Sequence, residues 1–169
     1  MSLMFTEENG MYTLDCTNSI WATDSINKYY HENTVSLLKD VDWIVETDDN
    51  ILLIEYKNAT IKGASHPERF NPKEDKKLNN VAQKYYDTLH FLHLMGKFKL
   101  KKYIYILEYP NGDVVSRKLI RNKLKDRLPF RLQSTLNCNC KLIESVEVLS
   151  IEEWNNQYND FPLLKNLTY

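Results

Sequence analysis

The stretch KDVDWIVETDDNILLIEYKNA, residues 39–59, holds two apolar runs around the polar tetrapeptide TDDN. Taken as a tight turn with Asp48 and Asp49 at its centre, TDDN sets Thr47 opposite Asn50, and every cross-strand pair then has numbers summing to 97. One face of the hairpin carries the pairs Glu46–Ile51, Ile44–Leu53, Asp42–Glu55 and, beyond them, Asp40–Lys57; the other carries Val45–Leu52, Trp43–Ile54 and Val41–Tyr56. The second face is wholly apolar and the first is apolar in its middle. Such a hairpin must be covered on both sides, with Asp42, Glu55 and Lys57 meeting at the edge of the covered region.

Directly opposed residues have Cβ atoms about 4.5–5.5 Å apart, and like charges at that distance destabilise a sheet, more so as water is excluded. A hard divalent cation, Mg²⁺ or Mn²⁺, would offset the Asp42–Glu55 repulsion, because it takes carboxylate oxygens and keeps waters for a phosphate. Lys57 lies two residues beyond Glu55 on the same face. From there it could orient or deprotonate an attacking water and balance charge developing on phosphorus. The main-chain carbonyl of Tyr56, between them, would be a further ligand.

The chain of 169 residues, 43% apolar and 12% aromatic, suits one domain with a sizeable core. Met1, Ser2 and Leu3 precede a second Met at position 4 and read as a cloning remnant, leaving 4–169 as the domain. No run approaches the roughly eighteen apolar residues of a membrane span, and no basic-then-apolar leader opens the chain. The expectation is a soluble, cytoplasmic protein. Three Cys, two of them in CNC (Cys138 and Cys140), lack a second cluster to complete a zinc site and read as reduced thiols.

The formal net charge of −1 hides a segregation. Residues 1–60 are net −8, residues 61–96 net +2, residues 97–131 net +8 and the remainder net −3. An acidic site beside a basic surface suits a phosphate polymer held by cations near a metal centre.

Around the hairpin, GMYTLDC alternates like a short strand, and TDSINKYYHE offers Thr23 as the N-cap of a short helix. Residues 58–75 collect Gly63, Pro67 and Pro72 and read as the one flexible connection. Leu78, Val81, Ala82, Tyr85, Leu89 and Leu92 recur at helical spacing, so 76–95 is predicted to be an amphipathic helix ended by Gly96. YIYILEY (103–109) reads as a strand buried on both faces. In 115–128, Leu119, Ile120, Leu124 and Leu128 share one arc of a helix and Lys118, Arg121 and Lys125 the opposite one, a basic stripe for nucleic acid. SVEVLS then forms a strand, and Ser150 caps a helical turn over IEEWNNQY.

VDW, twelve residues and then IEYK resembles the signature of the PD-(D/E)XK nuclease superfamily, an Asp on one strand and Glu-x-Lys on the next. The likeness covers roughly residues 20–110, with 111–169 as a basic helix and a C-terminal strand and helix added to it. It implies an α/β fold with the restriction-endonuclease-like αβββαβ core, a mixed central sheet flanked by helices. It also implies divalent-metal-dependent hydrolysis of phosphodiester bonds in DNA or RNA. On that likeness Asp42 and Glu55 are metal ligands and Lys57 the catalytic base or electrostatic stabiliser. Many members add a Gln or Lys from the following helix; AQKYYD supplies Gln83, taken as the further catalytic residue, and Lys84. Val41 stands where the signature has Pro, and Asp24 or Glu32 would be the acid contributed from the first helix.

Other residues invite duller readings. His31 suits a helix end, His90 and His93 lack an acid beside them, Tyr85 keeps the core register and only Tyr86 is free to stack on a base. Four Gly leave no phosphate loop. The alternative to an enzyme is a nucleic-acid-binding or partner-binding module on the same fold without turnover. In either case a homodimer or separate partner would supply targeting.

Overall fold

The computed structural model describes residues 3–61, 63–64, 66–136 and 140–167. Its centre is a five-stranded mixed sheet with the order β3–β4–β5–β6–β7, formed by Trp21–Thr23, Trp43–Glu46, Asn50–Asn58, Leu100–Glu108 and Ile143–Leu149. β3, β4 and β5 are antiparallel, whereas β5, β6 and β7 run parallel. The parallel pairs require crossovers, and helices provide them: α2 (Asp75–Leu94) joins β5 to β6, and α3 (Val114–Lys125) with α4 (Phe130–Thr135) joins β6 to β7. A second antiparallel sheet, β1–β2–β8, is built from Met4–Thr6, Tyr12–Asp15 and Leu163–Lys165. The remaining α-helices among the described residues are α1 (Ile26–Glu32) and α5 (Ile151–Gln157).

Both faces of the large sheet are covered, as the apolar hairpin demands. Ile44, Ile51, Leu53, Tyr103 and Leu107 pack under α1, α2 and α3, against Ile26, Leu78, Tyr85, Leu92, Ile120 and Leu124. Trp43, Val45, Leu52, Ile54, Ile104 and Ile106 meet Leu14 and Leu163 of the second sheet, Trp154 of α5 and Phe161 between α5 and β8. The β4–β5 register pairs Trp43 with Ile54, Ile44 with Leu53, Val45 with Leu52 and Glu46 with Ile51, as the turn at Asp48–Asp49 predicts. Thr47 and Asn50 close that turn, the Thr47 N–H donating to the Asn50 carbonyl at 2.9 Å.

Thr23 ends β3 instead of capping α1; its hydroxyl accepts from the Ser25 N–H at 3.1 Å, and Ser25 is the N-cap. The strand β3 therefore precedes α1, so the segment runs strand, helix, two strands, helix, strand. Leu119 is 44% exposed, and the buried arc of α3 is completed by Arg117, whose Nε donates to Glu153 at 2.9 Å. Of the thiols, Cys16 is buried and Cys140 exposed, while Cys138 lies outside the described residues. Among the described residues no helix is long and apolar enough to cross a membrane.

The helix ends behave as their residues require. Ser150 accepts from the Glu153 N–H at 3.0 Å and the Glu153 carboxylate accepts from the Ser150 N–H at 2.7 Å, a reciprocal cap. Gly96, at φ +67°, ends α2, with its N–H donating to the His93 carbonyl and that of Lys97 to Leu92. A Cβ at Gly96 meets no atom within 4 Å, so its substitution is a backbone effect alone. Gly96→Ala is expected to cost about 1 kcal/mol in chemical denaturation without altering the site.

Candidate active site

Asp42, Glu55 and Lys84 come together where β4 and β5 open at the end of the large sheet, and Lys57 stands at its rim. α2 shapes this end by hooking the segment before β4: the Lys39 N–H donates to the Asp87 carboxylate at 3.0 Å and the Val41 N–H to the Thr88 hydroxyl at 3.2 Å. Val41 is thereby drawn into the core under the helices instead of pairing with Tyr56 on the opposite face. Asp40 turns to Asn27, whose side-chain amide donates to it at 3.2 Å, and the expected Asp40–Lys57 pair does not form. The ladder stops at Trp43, and the Tyr56 N–H donates to Asp42 Oδ2 at 2.7 Å. The Asp42 side chain thus stands in for a strand.

Glu55, 7% exposed, lies beside Asp42, and Lys84 of α2 reaches it with Nζ 2.7 and 2.8 Å from its two carboxylate oxygens. Burial and then the Asp42 charge push the Glu55 carboxyl up to about 8, against the pull of Lys84. Burial also raises Asp42, opposed by Lys84 and by the Tyr56 N–H. For Lys84 burial works against the ammonium, yet the Glu55 and Asp42 charges outweigh it and raise its pKa. The cation compensating the two acids is therefore Lys84, from the helix, and not Lys57.

The Lys57 side chain is exposed, and among the described residues nothing hydrogen-bonds to its ammonium or pairs with it. It borders two openings. On one side a cavity of about 500 Å³ is lined by Glu7, Glu8, Asp24 and Asp42; on the other a groove of about 860 Å³ runs between α2 and the end of β5. A third opening, past Asp40 and Asp42, includes His31.

Gln83 is not the helix residue that touches Glu55. Its amide donates to Asp87 at 2.6 Å, so it supports the hook that holds residues 39–41. The Tyr56 ring lies on the far face near Trp43, at 5.5 Å between centroids. Asp24 borders the acidic cavity, whereas Glu32 pairs on the surface with Lys28 at 3.8 Å. His90 and His93 are exposed, and Tyr86 donates its hydroxyl to the Arg127 carbonyl at 2.9 Å. Lys118 and Lys125 are exposed and Arg121 half-buried on α3; none of the three lines an opening that reaches Asp42 or Glu55.

The donor set at the site is hard oxygen, as Mg²⁺ or Mn²⁺ prefers, and the raised carboxyls mark two groups short of positive charge. Among the described residues no three Asp, Glu, His or Cys side chains gather as a metal cluster. Compared with protein-family models, with curated proteins and with solved structures, the chain matches none of them.

Proposed function

We propose that this chain is a divalent-metal-dependent nuclease of restriction-endonuclease-like, PD-(D/E)XK type, hydrolysing phosphodiester bonds in DNA or RNA. The observation that carries the reading is the meeting of Asp42 and Glu55, both with raised carboxyl pKa values, at an open sheet end beside the unpartnered Lys57. The β4–β5 register that the Asp48–Asp49 turn sets, carried one pair past Trp43–Ile54, falls on the same two acids. The position of β3 ahead of α1 is a departure from the order of elements in that superfamily's core.

Asp42, Glu55 and the Tyr56 main-chain oxygen are the groups that would hold Mg²⁺ or Mn²⁺, which when bound supplies Lewis acidity and a water of lowered pKa. Asp42 arrives oriented, because its Oδ2 is fixed by the Tyr56 N–H. Glu55 has both oxygens on Lys84, so at least one must be released or shared before it can serve as a ligand. Lys84 then remains beside the acids as a second positive charge. Lys57 has the freedom that the reaction asks of it: it can donate to a phosphate oxygen, orient the attacking water and offset the charge that develops.

Lys57→Ala is expected to remove turnover while leaving metal affinity equal or higher, since a competing cation has gone. Calorimetric Mg²⁺ titration beside a cleavage assay reads both quantities; weaker metal binding in the variant would make Lys57 a structural contributor. The reading as a whole is tested with single- and double-stranded DNA and RNA in Mg²⁺, Mn²⁺ and Ca²⁺. Cleavage is expected with the first two and binding without cleavage with Ca²⁺. A protein that neither cleaves nor gains thermal stability from any of these ions is not this enzyme. That result would favour a module without turnover, a reading whose own support is the two-oxygen grip of Lys84 on Glu55.

A further inference from the structure

We infer that the substrate strand is held by its phosphates in the groove between the first half of α2 and the Lys57 end of β5, and not on the basic face of α3. The inference rests on the nuclease reading and adds to it the path of the strand. The groove is lined by five lysines from three parts of the chain: Lys39 ahead of β4, Lys57 on β5, and Lys76, Lys77 and Lys84 on α2. The acids among its lining residues are Glu55 and Glu74, and Lys84 already covers Glu55. An excess of positive charge thus lines a concave surface that ends at the candidate catalytic groups.

The state of these lysines fits a surface awaiting anions. The Lys57 and Lys76 side chains have no partner among the described residues, and that of Lys39 is held by the neutral Asn80 side chain. Lys77 makes an exposed pair with Glu74 at 3.3 Å and lies 4.6 Å over the Phe70 ring, interactions that are weak in water. Asn79, Asn80 and Gln83 add hydrogen-bonding side chains without charge. From Lys76 to Lys84 the helix rises about 12 Å at 1.5 Å per residue, and stacked nucleotides advance about 3.4 Å each. The row therefore spans three to four nucleotide steps.

Across the ridge made by Lys57 and Phe70, which border both openings, the field reverses. The cavity there presents Glu7, Glu8, Asp24 and Asp42, with Lys57 the only cation among its described lining residues. A polyanion approaching Lys57 is repelled from that side and drawn to the α2 side. The α3 stripe of Lys118, Arg121 and Lys125 lines neither opening, so a strand gripped there would not be led to the acids by those side chains.

The test is salt-dependent binding of a fluorescein-labelled single-stranded oligonucleotide to the full chain in Ca²⁺, which suppresses cleavage. Lys76→Gln with Lys77→Gln is compared with the parent and with Lys118→Gln, Arg121→Gln, Lys125→Gln, each checked for an unchanged melt. Taking two lysines off the phosphates of a single strand should flatten the log–log slope by about 1.4, at about 0.7 for each phosphate no longer neutralised. An unchanged slope in the α2 pair, or a flattening confined to the α3 triple variant, overturns the inference. A parent that cleaves in Mg²⁺ while the α2 pair keeps its slope loses the groove and keeps the nuclease. A parent that binds with the expected α2 dependence but never cleaves keeps the groove and loses the nuclease. A parent that binds no oligonucleotide at low salt loses both.

Discussion

Asp42→Asn and Glu55→Gln are each expected to lower Mg²⁺-dependent cleavage by about 10³-fold or more, equivalent to about 4 kcal/mol of transition-state stabilisation. Neither loss should come from unfolding. An Asn at position 42 retains an oxygen to accept the Tyr56 N–H, and a Gln at position 55 has the shape of the protonated acid that this environment favours. The pH dependence of stability follows with a definite sign. A carboxyl raised in the folded state to about 8 from an ordinary 4.5 contributes stability that is fully present below the ordinary value and lost as pH rises through the folded one. The metal-free parent should therefore lose stability between about pH 4.5 and 8, and Glu55→Gln should not show that component. Asp42→Asn should move the titration of Glu55 down, because the Asp42 charge is one of its causes. Melting curves across this range, beside cleavage rates, read all three outcomes. A parent whose stability rises over the same interval because of Glu55 would contradict the burial argument.

Lys84→Met should have the largest effect on stability. Removing one member of a buried pair leaves an uncompensated charge and costs about 3–5 kcal/mol when the pair is fully enclosed. Lys84 keeps 21% of its side-chain surface and Glu55 10%, so about 2–3 kcal/mol is expected at pH 8.5. The cost should shrink toward pH 5, where Glu55 takes a proton instead. Mg²⁺ should restore more stability to the variant than to the parent, since no ammonium then competes for the carboxylate oxygens. Urea denaturation at the two pH values, with and without Mg²⁺, is the measurement. An equal loss at both would mean that the aliphatic stem of Lys84 matters, through packing, and not its charge.

The hairpin was legible because two independent signals agreed: a turn that fixes the register and an apolar pattern that requires cover on both faces. From that register alone Asp42 and Glu55 fall together. What escaped was the pull of the helix on residues 39–41. Those hydrogen bonds come from Asp87 and Thr88, more than forty residues away, and no local pattern announces them. Between Gln83 and Lys84 the sequence leaves the choice open for a different reason. At about 100° per residue Lys84 sits about 110° to one side of the apolar centre of α2 and Gln83 about 150° to the other, so periodicity puts both off the buried arc and does not choose between them. The sheet beyond the hairpin chose, by placing Glu55 on the side of Lys84. The α3 stripe was correctly read as polar, but charge on a helix says nothing of which cavity it adjoins.

The parallel pairing of β5 with β6 sets Glu55 opposite Tyr105, and this has a bearing on the order in which the protein matures. Asp42, Glu55, Lys57 and Lys84 all belong to residues 42–84, whereas the strand that encloses Glu55 is not reached until Leu100. A chain emerging during synthesis exposes both acids and their lysine before the wall that buries them exists. Until β6 docks, water solvates Glu55 and its proton affinity is that of any surface carboxylate. A fragment ending at Gly96 should accordingly titrate Glu55 near 4.5, and the perturbed site is acquired only once β6 has docked.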